Sequence, residues 1–265
     1  MTSPSEIAAA VERLKDAQST RVPCAAVRDL IGTDDLDAAY AVQQGLVQTR
    51  IASGARVVGR KIGATSEAVQ KQLGVDQPDF GYLLDVMDVS KDTPISMRTL
   101  VQPRVEAEVA FILAKDIAPQ TEEEITIEFV RDAVQAALPA LEIVDSRIGN
   151  WDITFTDTVA DNASSGLFVI GEDAKTLEVL EPRDVVMELR INDEVRSSGT
   201  GAACLGDPLE ALRWLAVQAF RYNDPLRAGH LILSGALGPF VPFAAGDRVE
   251  ASISGFDTLS VEFGE

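Results

Sequence analysis

The sequence predicts an α+β fold in which an N-terminal helical segment precedes a mixed β-sheet structure. Apolar residues at helical spacing dominate the beginning of the chain, whereas short apolar or alternating segments bounded by glycine, proline and asparagine dominate the rest. Few of these segments alternate with helices as βαβ units, which argues against a doubly wound parallel sheet. We therefore expect a helical segment over residues 1–55 and a mixed-β domain over residues 56–265, packed as one integrated unit.

The two N-terminal helices have recognisable ends. The segment Ser3-Pro4-Ser5-Glu6 is a capping box with proline at the first helical position, and apolar residues follow at helical spacing from Ile7 to Leu14. A second helix is predicted from about Asp35 to Arg50, and Gly54 lies just beyond its end. These signals predict two amphipathic helices at the start of the chain.

The remaining chain is predicted mainly as strands. Apolar or alternating segments place them at residues 57–63, 105–113, 141–144, 166–171, 185–191, 231–233, 249–253 and 259–263. Helices are predicted between them from Ser66 to Gly74, from the capping box at Thr121 through Val134, and from Asp207 onward. Strands therefore outnumber helices after Val57.

Composition narrows the classes of function. The net charge of −19 would repel phosphate backbones, so nucleic acid is an unexpected partner. The same charge would repel a small anionic substrate, so a site for a carboxylic acid needs lysine, arginine or a metal ion. The N-terminus lacks a secretory signal pattern, and glycine and proline interrupt the uncharged stretch 228–246, which argues against a membrane span. We expect a cytoplasmic enzyme.

A single histidine, His230, limits the possible chemistry. A Ser-His-Asp triad and metal sites with two histidines are weakened or excluded by this count. His230 itself follows Arg227-Ala228-Gly229, a setting more typical of a turn than of a site. Carboxylates, lysine and arginine must therefore carry most of the chemistry.

The segment Val105-Glu106-Ala107-Glu108 contains the first candidate metal ligands. Side chains alternate faces along a strand, so Glu106 and Glu108 share one face, with Cα atoms roughly 6.5–7 Å apart. Both carboxylates could then bind one hard cation. Taken alone, the segment fits an ordinary half-buried strand with glutamates in water better than a metal site.

Glu142 strengthens the metal interpretation. It interrupts the apolar run Leu138–Val144, where a lone ionised carboxylate is costly to bury unless it is paired or bound to a metal. Two alternatives stay open, an ion pair with an arginine such as Arg147 and exposure to solvent. Three carboxylates without histidine would suit Mg²⁺ or Mn²⁺ rather than zinc or copper.

Three further segments contain candidate site residues. Lys61, among apolar neighbours and beside a cation, could have a lowered pKa and carry protons, although a solvated lysine at a strand end is an equal alternative. Asp79 and Ser164 lie in loop-like segments where turn chemistry is the alternative. Gly235 and Gly238 could present backbone N–H groups to a substrate carboxylate, a weak signal by itself.

Taken together, these segments resemble the 2-keto-4-pentenoate hydratases (2-hydroxypentadienoate hydratases) of the fumarylacetoacetate hydrolase superfamily. The resemblance runs from about Val22 to the end of the chain. It rests on the blocks at residues 57–63, 72–81, 102–108, 138–142 and 157–164. Long matched blocks are far more specific than a short motif.

The resemblance implies a fold, a reaction and roles for individual residues. It implies a mixed β-sandwich roll, a homo-oligomer, and Mg²⁺ or Mn²⁺ bound by the E-x-E pair and a later glutamate. It implies the addition of water to 2-hydroxypenta-2,4-dienoate to give 4-hydroxy-2-oxopentanoate, in the meta-cleavage degradation of aromatic compounds. The residues that match are Glu106, Glu108 and Glu142 for the metal, Lys61 and Asp79 for proton transfer, and Ser164 in the pocket.

Two departures and three rival functions remain open. This chain has Gly206-Asp207-Pro208 where relatives often have G-H-P, and Ala228-Gly229-His230 where they often have A-G-D. Neither departure touches the predicted metal ligands. The rivals are a 4-oxalocrotonate-type decarboxylase, an acylpyruvate-type hydrolase and a non-catalytic partner subunit. The hydrolase is disfavoured because His230 does not match the family's water-activating histidine.

Overall fold

The computed structural model describes residues 2–66, 70–71, 75 and 77–265. Its helices are α1 Pro4–Thr20, α2 Arg28–Ile31, α3 Leu36–Ala52, α4 Ile127–Arg131, α5 Phe155–Ala160 and α6 Pro208–Arg221. Its strands are β1 Val57–Gly63, β2 Asp79–Leu84, β3 Ile95–Ser96, β4 Pro103–Leu113, β5 Val134–Asp145, β6 Ser165–Ile170, β7 Val186–Ile191, β8 Glu194–Thr200, β9 Leu231–Ala236, β10 Val241–Pro242, β11 Arg248–Ile253 and β12 Leu259–Gly264. The helix predicted from Ser66 to Gly74 falls largely outside the described residues.

The strands form two sheets. The larger sheet has the order β2-β1-β9-β4-β5-β6, with β10 also paired to β4, and the smaller has the order β3-β12-β11-β7-β8. Strand β1 runs parallel to β9 and β3 runs parallel to β12, whereas the other pairs are antiparallel. The predicted α+β fold with mixed sheets is therefore confirmed.

The N-terminal helices begin where their capping signals predict. In α1, the Ser3 backbone N–H donates to the Glu6 carboxylate at 2.7 Å, and the Glu6 N–H donates to the Ser3 hydroxyl. In α3, the Asp35 carboxylate accepts a hydrogen bond from the Ala38 N–H at 3.1 Å. Both caps satisfy N–H groups that the first turn of a helix leaves without partners.

The N-terminal helices are fastened to the sheet structure by buried polar contacts. The amide of Gln43 in α3 is fully buried and donates to the carbonyl oxygens of Phe80 and Val159, each at 2.9 Å. Asp157 at the start of α5 accepts hydrogen bonds from the Val27 and Arg28 N–H groups, each at 2.9 Å. One continuous apolar cluster also joins these helices to both sheets.

The helix predicted from Thr121 through Val134 is wrong in its start and its end. Residues Glu122–Glu124 form a short 3₁₀ turn, and α4 begins only after Thr126, whose hydroxyl accepts from the Phe129 N–H at 3.2 Å. Val134 starts strand β5 instead, because it pairs with β4. Sheet pairing, a tertiary contact, overrides the local helix signal here.

Among the described residues, no helix combines the length and the apolar character needed to cross a bilayer.

Candidate active site

Three buried glutamates meet in the middle of the larger sheet. Strands β4 and β5 pair antiparallel in a register that sets Glu106 directly opposite Glu142, and Glu108 lies two residues further along the same face of β4. One carboxylate oxygen from each residue lies within 4.8 Å of those from the other two. The side chains are only 5%, 0% and 1% exposed, in the order Glu106, Glu108 and Glu142. Neither solvent exposure nor an Arg147 pair therefore accounts for Glu142.

The chain itself satisfies only part of this carboxylate cluster. The Gly235 N–H donates to Glu108 Oε2 at 2.7 Å, where a register shift between β4 and β9 interrupts the ladder. Glu108 Oε1 and both oxygens of Glu142 are buried without a hydrogen-bond donor from the described residues. Buried carboxylate oxygens without donors carry a high desolvation cost, so this donor set fits a hard divalent cation.

The electrostatics of the cluster agree with that fit. Burial, together with the Glu142 carboxylate, raises the pKa of Glu106 to about 8. Burial likewise raises the pKa of Glu108 well above its ordinary value, with Glu142 and Glu106 adding to the effect. The pKa of Glu142 is raised mainly by burial, against the opposing effect of Lys61. Without a counter-charge, the cluster therefore favours bound protons over three negative charges.

Lys61 reaches the cluster from strand β1. Its Nζ lies 3.1 Å from Glu142 Oε1, an ion-pair distance without hydrogen-bond alignment, and the side chain is 2% exposed. Burial lowers the pKa of Lys61, but the surrounding carboxylates, Glu142 and Asp79 foremost, raise it above its ordinary value. The predicted lowering of the Lys61 pKa assumed a cation beside the ammonium group, and it is not found for the chain without a metal ion.

Asp79 stands opposite Gly63 at the pairing of β1 and β2. Its Oδ2 accepts a hydrogen bond from the Thr158 hydroxyl at 3.1 Å, and burial raises its pKa. A Cβ atom on Gly63 would lie 2.2 Å from Asp79 Oδ1, so only glycine leaves room for the carboxyl group in this position. Asp79 and Lys61 consequently lie side by side on one wall of the site.

Ser164 is held by an unusual turn between α5 and β6. Asn162, Ala163 and Ser164 all adopt left-handed backbone conformations, with φ between 52° and 54°. Such conformations cost roughly 1–2 kcal/mol per non-glycine residue, so neighbouring contacts must hold them. The Asn162 amide accepts from the Tyr82 N–H at 2.8 Å and donates to the Tyr82 carbonyl at 3.0 Å. Ser164 Oγ then lies 3.5 Å from the Thr158 hydroxyl.

A buried ion pair between Arg147 and Asp161 stabilises the same turn. The Arg147 guanidinium donates to the Asp161 carboxylate, and the Arg147 backbone N–H donates to the other carboxylate oxygen at 2.9 Å. Arg147 also donates to the Ser165 carbonyl at 2.7 Å. Arg147 is therefore committed to the turn rather than to Glu142.

A small cavity opens onto these groups. The wall that carries its polar side chains consists of Lys61, Asp79, Glu106, Thr158 and Ser164, together with Gly63, Ala64 and Ala163. Its apolar wall consists of Val144, Trp151 and Phe240. Both predicted proton carriers, the predicted pocket serine and one of the three glutamates thus face a common space.

The other candidates lie elsewhere. Gly235, with φ at 113°, offers its N–H to Glu108 rather than to the cavity. Gly238 lines a separate surface cleft beside strand β8. His230 lies in the predicted turn before β9, where its Nδ1 accepts from the Arg227 N–H at 3.1 Å. The structure brings none of these three side by side with Lys61 and Asp79.

Comparison with known proteins identifies the family. The profile for the fumarylacetoacetate (FAA) hydrolase C-terminal region matches residues 56–263. The chain belongs to the fumarylacetoacetate hydrolase family. The TodF product hydratase of Pseudomonas putida is 47% identical over 96% of this chain and 94% of that protein. The 2-keto-4-pentenoate hydratase 2 of Dechloromonas aromatica is 49% identical over 96% of each chain.

A solved structure agrees over nearly the whole chain. The 4-oxalocrotonate decarboxylase from Pseudomonas putida G7, complexed with magnesium and adipate, superposes with a TM-score of 0.92 at 28% identity and covers 99% of both chains. The predicted family and its fold are therefore confirmed.

Some residues that line the cavity or hold its walls in place were not predicted from the sequence. Thr158 and Asn162 lie within a block that carried the resemblance, but nothing distinguished them there from ordinary polar turn residues. Trp151 and Phe240 gave no signal, because each is a single aromatic residue in a loop-like segment. Only the folded chain places them together.

Proposed function

We propose that this protein is a divalent-metal-dependent hydratase that adds water to 2-hydroxypenta-2,4-dienoate and forms 4-hydroxy-2-oxopentanoate. The reaction belongs to the meta-cleavage degradation of aromatic compounds. The observation that carries the proposal is a cluster of three buried glutamates, contacted by Lys61, at a cavity that Glu106, Lys61 and Asp79 line. The relatives named as hydratases, at 47% and 49% identity, indicate which reaction such a site performs.

Glu106, Glu108 and Glu142 would hold the metal, and Mg²⁺ or Mn²⁺ suits their three carboxylates. A divalent cation there would supply positive charge to the substrate's carboxylate and 2-oxygen, and would stabilise the negative charge that develops on that oxygen. Gly235 contributes by fixing Glu108 through its N–H. The site would thereby offset the repulsion that a net charge of −19 imposes on an anionic substrate.

Lys61 and Asp79 are the groups to which we assign the proton transfers. In the first stage the 2-hydroxyl loses a proton and C5 gains one, which converts the dienol to 2-oxopent-3-enoate. In the second stage the hydroxyl group of water bonds to C4 and its proton goes to C3. Asp79 can hold a proton because burial raises its pKa, and the Lys61 ammonium is kept charged by the carboxylates around it.

The hydroxyl groups of Ser164 and Thr158 complete the polar wall. Thr158 orients Asp79 through its hydrogen bond to Oδ2, and Ser164 is close enough to exchange a hydrogen bond with Thr158. We assign Ser164 to substrate binding, because the left-handed turn fixes its hydroxyl at the cavity. Gly238 has no assigned contact with the substrate in this scheme.

A 4-oxalocrotonate-type decarboxylase is the second candidate function. The match to the solved decarboxylase favours it, since that structure agrees over 99% of both chains. The hydratase is preferred because identity to the named hydratases is 47–49%, against 28% to the decarboxylase. Both reactions would use the same metal ligands, so only product analysis separates them.

The test is a substrate panel assayed with Mg²⁺ and with Mn²⁺. We expect the dienoate absorbance of 2-hydroxypenta-2,4-dienoate to disappear with formation of 4-hydroxy-2-oxopentanoate, and treatment with EDTA to stop the reaction. Full activity after EDTA would refute the metal requirement. Faster release of CO₂ from 2-oxohex-3-enedioate than hydration of the dienoate would assign the decarboxylase instead. The proposal also includes a cytoplasmic homo-oligomer, whose subunit number light scattering measures.

A further inference from the structure

The apolar wall of the cavity is built from two stacked aromatic rings. Trp151 and Phe240 have ring centroids 5.5 Å apart and an interplanar angle of 28°. Phe240 is buried with Val144 in a small apolar cluster that is separate from the main core, and Trp151 packs against that cluster. The Trp151 Nε1 donates to the Gln102 carbonyl at 3.1 Å, which fixes the indole ring. The wall therefore joins the small cluster around Phe240 to the main core through Trp151.

Arg104 contacts both rings of this wall. It is on the same face of β4 as Glu106, two residues and roughly 6.5–7 Å along the strand. Its guanidinium carbon is 4.5 Å from the Trp151 ring centroid and 4.9 Å from that of Phe240. Arg104 does not itself line the cavity. Its guanidinium lies over the faces of both rings, where cation–π attraction can hold the rings in position.

The positions of residues along β4 and β5 give the cavity a polar end and an apolar end. Glu106 marks the metal end, and Val144, which pairs with Arg104 across the strands, marks the apolar end. A short 2-oxo acid whose carboxylate binds the metal ion that the glutamates would hold would place its far end toward Trp151 and Phe240. Among the lining residues that the structure describes, the rings and Val144 rather than a charged group form that end.

We propose that Trp151 and Phe240 determine substrate specificity by limiting the length of the carbon chain beyond C4 and by requiring it to be uncharged, and that Arg104 is a positioning residue for the two rings. The proposal rests on the proposed function for the class of substrate. The preference for a short, uncharged substrate end is thus assigned to Trp151 and Phe240, which belong neither to the metal site nor to the proton carriers.

The test compares two substrates in wild type and variants. The kcat/KM ratio of 2-hydroxyhexa-2,4-dienoate to 2-hydroxypenta-2,4-dienoate should rise at least about tenfold in Phe240→Ala and in Trp151→Ala, because one methylene in an apolar pocket is worth roughly that factor. Phe243→Ala is the matched control. Its ring packs against Phe263 in a tilted arrangement with centroids 4.2 Å apart and does not line the cavity, so the ratio should stay at the wild-type value.

Arg104 is tested by the split between KM and kcat. Arg104→Met should raise KM for the five-carbon substrate and shift the ratio in the same direction as the ring variants, with kcat changed less than KM. Arg104→Lys retains a cation over the rings and should restore most of the wild-type KM. A purely structural role would lower thermal stability equally in both variants without moving the ratio.

The outcomes separate this proposal from the proposed function. If wild type turns over no dienoate, calorimetry with Mg²⁺ and saturated 2-oxo acids from 2-oxobutanoate to 2-oxoheptanoate still tests the wall. Affinity should fall beyond five carbons in wild type and recover in Phe240→Ala. An unchanged chain-length profile in the Phe240 and Trp151 variants, or a wild-type preference for a dicarboxylate of six carbons, would overturn the proposal. Phe240→Leu and Trp151→Phe replace any alanine variant that fails to fold.

Discussion

Glu142 has the most demanding environment of the three clustered carboxylates. It is 1% exposed, it faces Glu106 across the ladder, and neither of its oxygens receives a hydrogen bond from the described residues. The Lys61 ammonium, 3.1 Å away, offsets only part of that burial. A bound cation would remove the remaining cost, so the identity of this side chain should matter more than that of an exposed glutamate.

The first prediction concerns the charge of Glu142. Glu142→Gln keeps the shape of the side chain but removes a metal ligand and the partner of Lys61, so kcat/KM should fall by roughly 10²–10³. Steady-state kinetics at saturating Mg²⁺ measures the loss. Glu194→Gln, at an exposed position of β8, is the matched control and should keep wild-type activity. An active Glu142→Gln protein would exclude Glu142 as a metal ligand.

The second prediction concerns pH and metal removal. The pKa of Glu106 is about 8 in the folded chain against an ordinary 4.5, so the folded state keeps a proton that the unfolded state releases. The unfolding free energy of metal-free protein should therefore fall as pH rises from about 5 to 8, and added Mg²⁺ or Mn²⁺ should restore more stability at pH 8 than at pH 5. Thermal unfolding after EDTA treatment, with and without metal, measures both effects.

Glu106→Gln provides the comparison for this pH dependence. Glutamine cannot ionise, so the variant should lose less stability over the same pH range than wild type. Equal pH slopes in both proteins, together with no stabilisation of wild type by metal, would contradict the prediction.

At this scale the sequence predicted chemical types better than electrostatic states. The alternating Glu106 and Glu108 and the apolar setting of Glu142 indicated a carboxylate cluster as one interpretation, and the resemblance to the hydratases made it the favoured one. The pKa of Lys61 is raised in the chain without a metal ion, because other strands bring carboxylates close to the ammonium group. Its lowering beside a bound cation stays a prediction. Pairwise distances between distant segments decide such shifts, and a sequence does not contain them.

At the scale of elements, a register shift between β4 and β9 gives the Glu108 carboxylate a hydrogen-bond donor. The ladder shifts register between Glu108 and Ala110, and this shift turns the Gly235 N–H toward the carboxylate. Gly235 has a φ of 113°, and a Cβ atom there would lie 2.2 Å from Thr65 Oγ1. The bulge therefore depends on glycine for both conformation and space.

The third prediction separates these two requirements. Gly235→Ala should destabilise the protein by about 1–3 kcal/mol and weaken metal binding, since both the backbone and Glu108 must move. Gly54→Ala is the control, because Gly54 has a similar φ of 102° with no atom within 4 Å of an added Cβ. It should cost stability through strain alone and leave metal affinity unchanged. Thermal unfolding and Mg²⁺ titration measure the two quantities.

The fourth prediction concerns the left-handed turn. Asn162→Ala removes both hydrogen bonds to the Tyr82 backbone, so stability should fall by about 1–3 kcal/mol, and kcat should fall because Ser164 and Thr158 lose their fixed positions. Asn223→Ala is the control at an exposed asparagine with a φ of 52°. Unchanged kcat in Asn162→Ala would show that the turn does not position the site.

Local signals predicted the elements well where they were sufficient by themselves. The caps at Ser3 and Asp35 and the alternation in β7 required no distant partner. The start of β5 at Val134 and the register that sets Glu106 opposite Glu142 required pairing between strands. The fold class followed from composition and periodicity, whereas strand order and register did not.

At the scale of the whole molecule, net charge works against the proposed reaction. The value of −19 repels an anionic dienoate at long range, and the proposed cation attracts it only at short range. The balance between the two depends on ionic strength, because salt screens the distant charges more than the near ones.

The fifth prediction follows from that balance. Raising NaCl from about 0.01 M to about 0.1 M shortens the Debye length from roughly 30 Å to roughly 10 Å, so kcat/KM should increase by at least about twofold. The value of kcat at saturating substrate should not change, since repulsion acts on encounter. Kinetics at constant, saturating Mg²⁺ measures both, and a decrease of kcat/KM with salt would refute long-range repulsion.

The Gln43 amide has a consequence for how the chain can be divided. It holds the carbonyl of Phe80, next to Asp79, and the carbonyl of Val159, next to Thr158. The match to the profile for the fumarylacetoacetate hydrolase C-terminal region begins at residue 56, beyond this glutamine. A fragment that starts at residue 56 would retain every side chain assigned to catalysis. It would lose the two hydrogen bonds of Gln43 that hold the segments of Asp79 and Thr158 in fixed positions relative to each other. The segment that matches the profile is therefore shorter than the segment needed to hold the site in place. A chimera should be joined ahead of α3, so that Gln43 is kept.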